Sequence, residues 1–182
     1  MVLLILGVLL WVAGHFWKRA MPDAHARMGD RARSVSALII FAGVIAMIFG
    51  YRMAPTVDLW YPPMWTWHLN NLLVLIAIFM MSPAPRKGKL LHNMRHPQLA
   101  GFRAWAFAHL LVNGDLASLI LFGGLFLWAL AEVVVINKAE GSWQPTERGT
   151  IAKDGMFLVA SLVLMAVIGW IHGWLGYWPF PG

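Results

Sequence analysis

Apolar residues of this chain are concentrated in six long runs, which polar or charged segments separate. The runs are Met1–Trp17, Val35–Gly50, Met64–Met81, Leu99–Val112, Leu116–Ile136 and Met156–Leu175. A helix needs roughly 20 residues to cross a bilayer, with about 17 as the lower limit. Four runs meet that limit outright or with a flanking residue or two, the second is marginal, and the fourth is short unless it extends back through His96 and Pro97. The pattern predicts an all-α integral membrane bundle of about six transmembrane helices, forming a single transmembrane domain over residues 1–182.

The composition agrees with a membrane protein. Of 182 residues, 60% are hydrophobic and 12% are charged, and the mean hydropathy is +0.66. Soluble proteins are nearer half apolar and a quarter charged. Six spans would use nearly the whole chain, so we expect the lipid bilayer as its surroundings and no soluble domain. Cysteine is absent, which excludes disulfides, thiolate-ligated haem, iron–sulfur clusters and covalently attached haem.

Lysine and arginine lie almost wholly in the segments after the first, third and fifth runs. The exceptions are Arg52, in an alternate loop, and Arg103, inside the fourth run. The positive-inside rule therefore predicts that those three segments are cytoplasmic and that both termini are outside. This arrangement also explains the pI of about 10.2, so no nucleic acid partner is expected. Met1–Trp17 lacks a basic segment before it and is interpreted as a retained helix, not a signal peptide.

The fourth run contains a histidine well inside its apolar stretch, His109. An ionisable side chain at membrane depth costs on the order of 2.5–3.5 kcal/mol and usually marks a functional interior. Helical spacing places Gln98, Phe102, Trp105, His109 and Asn113 on one face. His109 is then either a histidine that is hydrogen-bonded to a neighbouring helix or a metal ligand.

A second histidine, His15, lies in the first helix one turn before Lys18 and Arg19. It is either a polar residue near the cytoplasmic interface or a ligand, because two histidines on separate membrane helices can hold a haem between them. The guanidinium groups able to pair with the haem propionates are Arg19, Arg95 and Arg103.

The depth of these histidines leaves the ligand pair open. With the basic segments inside, His15 lies near the inner end of its helix, whereas His109 lies nearer the outer end of the fourth, about 10 Å or more away. His68, at the outer start of the third run, is an interfacial residue or the alternative partner of His109. His172, among tryptophans near the end of the sixth run, is predicted to be interfacial.

Several motifs resemble the NnrU family of bacterial membrane proteins, and the same region is similar to 15-cis-ζ-carotene isomerase. They are Arg95-His96-Pro97-Gln98, Gly101, Trp105-Ala106-Phe107-Ala108-His109, Asn113-Gly114-Asp115, His15 after an apolar helix, Arg31 to Tyr51 with Phe41-Ala42-Gly43, and His68-Leu69-Asn70-Asn71. The resemblance covers about Leu4 to Ile136. It implies a multi-pass protein of the bacterial inner membrane. It also implies a b-type haem, whose two histidine ligands match His15 and His109 and whose surroundings include Trp105 and Asn113.

Three functions are compatible with the residues and with the resemblance, and they stay open. The first is a redox or nitric-oxide-linked role in denitrification-type metabolism, with a gaseous ligand or a lipid-soluble small molecule as partner. The second is haem-dependent cis–trans isomerisation of a carotenoid. The isomerase has a cysteine three residues before its second histidine, where this chain has Ala106, so exchange of histidine for thiolate is not available here. The third is a haemless membrane assembly factor.

Overall fold

The computed structural model describes residues 1–145 and 147–180, and these residues are mostly helical. The helices are α1 (Val2–Ala20), α2 (Pro22–Met28), α3 (Arg31–Arg52), α4 (Trp65–Met81), α5 (Ala84–Lys87), α6 (Pro97–Val112), α7 (Leu116–Ser118), a π-helix (Leu119–Gly123), α8 (Gly124–Glu140) and α9 (Ile151–Trp174). In this part of the chain, strand-like pairing is confined to an isolated bridge between Asp58 and Asp115. The all-α prediction is confirmed.

A long helix covers each of the six apolar runs. Four helical stretches are long and apolar enough to cross a membrane: Val2–Ala20, Arg31–Arg52, Leu116–Glu140 and Ile151–Trp174. Helix α4 is apolar but has 17 residues, and α6 has 16 because it begins at Pro97, with His96 as its N-cap. The membrane character of the chain is therefore supported by four helices. The number six, the single domain and the location of both termini stay predictions.

The chain forms two compact units. The first consists of residues Met1–Trp60 and Gly114–Trp128. In it α1 packs against α3, and glycine allows the two backbones to approach closely. A Cβ atom on Gly7 would lie 2.6 Å from the backbone nitrogen of Met47, and one on Gly50 would collide with the backbone of Leu4. Small residues at such contacts are typical of helix pairs in membranes, where van der Waals packing drives association.

A buried polar network lies in the first unit where α7 begins. Asp115 caps α7 by accepting a hydrogen bond from the Ser118 amide at 2.9 Å, and its other carboxylate oxygen accepts one from Ser118 Oγ at 2.5 Å. Tyr51 Oη lies 2.7 Å from Ser118 Oγ. Because the serine proton already points to the carboxylate, the tyrosine is the donor. The π-helix follows this network directly.

The second unit consists of residues Tyr61–Asn113 and Ala129–Gly182. Here α4 packs against both α6 and α9. A Cβ atom on Gly101 of α6 would lie 2.8 Å from the carbonyl oxygen of Ala77 in α4. The buried Asn70 side chain donates to the carbonyl of Ala108 at 3.0 Å in the amide orientation that satisfies both of its polar atoms. Asn71 donates to the Pro179 carbonyl at 3.2 Å.

Candidate functional site

The half-buried ring of His109 is held on α6 by its own helix. Its Nδ1 lies 2.9 Å from the carbonyl oxygen of Trp105, one turn earlier. A carbonyl oxygen only accepts, so Nδ1 carries the proton, and in the neutral ring Nε2 carries the lone pair. A histidine whose Nδ1 donates to a backbone carbonyl is oriented to ligate a metal through Nε2.

Four of the five residues in the predicted stripe on α6 form a chain of contacts, and the fifth, Gln98, is exposed. The Phe102 and Trp105 rings are 5.1 Å apart, and those of Trp105 and His109 are 4.9 Å apart. Asn113 closes the stripe, because its backbone amide and its Nδ2 both donate to the His109 carbonyl, at 3.0 Å and 2.8 Å. Trp105 and Asn113 therefore fix the His109 residue from the preceding and the following turn.

His15 repeats this arrangement in the first unit. Its Nδ1 donates to the carbonyl of Trp11 at 2.8 Å, and the two rings are 4.5 Å apart. Trp128 contacts the same imidazole at a centroid distance of 4.5 Å and meets Trp11 edge-on at 5.2 Å. The chain thus contains a tryptophan–histidine pair four residues apart on α1 and another on α6. In each pair the indole packs on the imidazole and Nδ1 is tied to the backbone.

The second unit contains two further histidines that bear on the site. His68 is exposed on α4. His172 of α9 is half-buried, and its Nδ1 donates to the Ile168 carbonyl at 2.8 Å. Sequence reasoning gave His172 only an interfacial role. The signal that was missed is that His109 and His172 lie at a similar depth. Each is in the last turn of its helix, α6 or α9, and both helices are predicted to end on the outer side of the membrane.

The three arginines that were predicted to pair with haem propionates differ in their exposure and in their hydrogen-bond partners. Arg95 donates from Nη1 to the Gly141 carbonyl at 2.6 Å, and its Nη2 lies 3.7 Å from the Glu140 carboxylate. It therefore ties the start of α6 to the end of α8. Arg103 is half-buried, and its Nε donates a hydrogen bond to the Leu99 carbonyl at 3.3 Å. This bond does not involve the two Nη groups of the guanidinium. Arg19 is exposed at the end of α1.

Comparison with known proteins identifies the family. The model of the family described as NnrU protein matches residues 3–179, nearly the whole chain. The chain belongs to the NnrU family. Searches of curated proteins and of solved structures each found no match. The family resemblance seen in the motifs around His109 is thereby confirmed, and the matched range extends through α9 as well.

The residues present fit a histidine-ligated b-type haem in donor chemistry. In His15 and in His109 the Nδ1 bond orients the ring so that Nε2 would be the ligating nitrogen. An indole packs on each imidazole, as suits a flat apolar macrocycle. Within the described residues, no group of three or more histidine, cysteine, aspartate or glutamate side chains is placed to hold a metal ion. A cofactor that brings four of its own nitrogen ligands needs only one or two from the protein.

Proposed function

We propose that this NnrU protein is an integral membrane protein that binds b-type haem and has a redox or nitric-oxide-linked role. The observation that carries the proposal is the duplicated tryptophan–histidine pair, Trp11 with His15 and Trp105 with His109. In both pairs Nδ1 donates to a backbone carbonyl, so a metal would be bound through Nε2.

The side chains around the two histidines have distinct tasks in this proposal. Trp105 and Asn113 hold the His109 ring and its backbone in position. Trp11 and Trp128 both pack against the ring of His15 and limit its movement. Arg103 is the residue best placed to pair with a propionate, because its Nε bond leaves both Nη groups for a charge-assisted pair. Bound haem would supply one-electron redox chemistry and an iron able to bind a diatomic gas.

The proposed location is the bacterial inner membrane, crossed by six helices with both termini outside. Three observations support it: the four membrane-length helices, the shorter apolar helix α4, and the confinement of cations to alternate segments. Helix α6 can cross despite its 16 residues, because a short span is accommodated by local thinning of the bilayer and by flanking arginine and histidine side chains.

The ligands are tested by the visible spectrum of the protein purified in detergent. The reduced wild-type protein should show the sharp α and β bands of low-spin b haem, and acid acetone should extract the haem because no cysteine anchors it. His109→Ala should abolish these bands. His92→Ala is the matched control, since that ring lies in a loop and bonds to the Lys89 carbonyl. Normal bands in His109→Ala would refute the central ligand.

The second ligand is tested by the same spectrum in three variants. His15→Ala should remove the six-coordinate bands if the duplicated pair supplies both ligands. Loss in His172→Ala or His68→Ala, with normal bands in His15→Ala, would instead assign both ligands to the second unit. His172 is the stronger of these two rivals, because it is half-buried and its Nδ1 is likewise bonded to the backbone, whereas His68 is exposed.

A carotenoid isomerase is the second candidate function, favoured by the aromatic ladder that leads to His109. The faces of Phe102 and Trp105 suit contact with a flat polyene. Pigment analysis of cells that accumulate 15-cis-ζ-carotene distinguishes this function, since only an isomerase would convert the pigment. A purified protein without a Soret band would favour the third candidate, a haemless assembly factor.

A further inference from the structure

A buried carboxylate in the second unit holds two basic segments together. Asp154, in the first turn of α9, is 3% exposed. Its Oδ2 accepts hydrogen bonds from the backbone amides of Lys89 at 2.6 Å and of Leu90 at 3.2 Å. The segment after α5 is thereby fixed against the start of α9, although the two are far apart in sequence.

Two glycines make the contact between these segments close. The Gly149 amide donates to the Gly88 carbonyl at 3.0 Å. A Cβ atom on Gly149 would collide with the carbonyl of Lys87, and one on Gly88 would collide with the Asp154 carboxylate. Both positions therefore require glycine for this approach. The contact is a specific backbone junction, held independently of any charge attraction between the side chains.

The junction brings together two segments that carry five exposed cationic residues. We call the surface formed by these residues the basic clamp; they are Arg86, Lys87, Lys89, Arg148 and Lys153. The neighbouring Glu147 is exposed and acidic. The second acid, Asp154, is covered by the loop and bonded to backbone amides, so its charge is turned away from the surface.

The clamp lies where an apolar helix begins. Helix α9 is long and apolar enough to cross a membrane and starts at Ile151, between two of the clamp cations. A helix in the bilayer would therefore place these cations at the level of the lipid headgroups. Clustered lysine and arginine at that level attract anionic lipids, at about 1 kcal/mol for each cation near the surface.

We propose that the basic clamp binds the phosphate headgroup of an anionic phospholipid. The argument rests on charge complementarity and on the fixed junction, and it is independent of the haem proposal. The positive-inside rule explains why cations lie in these loops, but it does not require a buried carboxylate and two glycines to hold five of them at one surface.

The test is lipid binding by the full chain in neutral detergent micelles. Dansyl-labelled phosphatidylglycerol is titrated into the protein, with dansyl-labelled phosphatidylcholine in a parallel titration, and energy transfer from tryptophan reports association. The wild-type protein should prefer the anionic lipid. The variant K87Q/K89Q/R148Q/K153Q should lose that preference, with affinity lowered on the order of tenfold or more. The variant K18Q/R27Q/R31Q/R33Q removes the same charge from exposed positions of the first unit and should keep the preference.

The variant Asp154→Ala tests whether lipid binding depends on the arrangement of the clamp cations or only on their number. It makes the protein more positive, so simple charge attraction would strengthen anionic lipid binding. Our proposal expects weaker binding, because the junction is lost. Circular dichroism and gel filtration of this variant check that it is folded, and the clamp quadruple variant, with only exposed positions changed, tests the proposal independently.

Three results would overturn the proposal. They are equal loss in both quadruple variants, stronger binding in a folded Asp154→Ala protein, and displacement of the lipid by millimolar inorganic phosphate beyond the effect of chloride at equal ionic strength. The last result would assign the clamp to free phosphate. Persistence of lipid binding in phosphate supports the headgroup at the bilayer surface.

Discussion

At the scale of single residues, a hydrogen bond to the backbone decides what a membrane histidine can do. His15, His109 and His172 all donate from Nδ1 to the carbonyl four residues earlier. The sequence places tryptophan four residues before two of them, which predicts ring contact but not which ring nitrogen bonds to the backbone. That choice depends on the side-chain rotamer and the helix geometry together, which a sequence pattern does not specify. The ring contacts are the part that could be predicted.

The network of Tyr51, Ser118 and Asp115 gives a prediction at the same scale. Ser118→Ala removes the central hydroxyl and leaves the tyrosine and the carboxylate without it, so the free energy of unfolding should fall by about 1–3 kcal/mol. Tyr51→Phe removes one donor and should cost about 1 kcal/mol. Denaturation in mixed micelles measures both. The double variant should cost less than the sum, since the two residues share a bond; strict additivity would contradict the network.

At the scale of elements, hydrophobic pattern predicted all six long helices, while contacts between distant segments were missed. The break at residues 113–115 and the start of α6 at Pro97 follow from local residue types, since proline disfavours helix at the residue before it. The junction of Gly88 with Gly149 does not, because it joins segments far apart in sequence, which a pattern within one helix does not encode. The π-helix at Leu119–Gly123 was likewise not predicted from the pattern.

Two glycine substitutions in helices should have opposite effects on stability. Gly50 of α3 faces the α1 backbone, so Gly50→Ala should destabilise the first unit by about 1–3 kcal/mol through overpacking. Apart from the adjacent backbone of α9 itself, no atom lies within 4 Å of the position that a Cβ on Gly155 would take. Gly155→Ala should therefore stabilise the helix by up to about 1 kcal/mol. Thermal unfolding in detergent distinguishes them. A stabilising Gly50→Ala substitution would contradict the close α1–α3 packing.

At the scale of the whole molecule, the number of membrane crossings is the main quantity left to measure. The NnrU family match spans residues 3–179 and therefore includes both the four membrane-length helices and the shorter α4 and α6. If α4 and α6 cross, the segment between them is cytoplasmic, as its cations indicate. If neither crosses, that segment lies outside with the loop after α3. The two arrangements differ in the side of the membrane on which the segment between α4 and α6 lies, and they place the other loops on the same sides.

The absence of cysteine makes this difference directly measurable, because a single introduced thiol has no background. Thr56→Cys, Asn93→Cys and Ser142→Cys place one thiol at an exposed position in three successive loops. A membrane-impermeant maleimide applied to intact spheroplasts should label Thr56→Cys in both arrangements and Ser142→Cys in neither, which makes them internal controls. Six crossings predict that Asn93→Cys is labelled only after permeabilisation. Labelling of Asn93→Cys in intact spheroplasts would reduce the crossings to four. It would also contradict the junction of Gly88 with Gly149, because that contact requires the segments on either side of it to lie on the same side of the membrane.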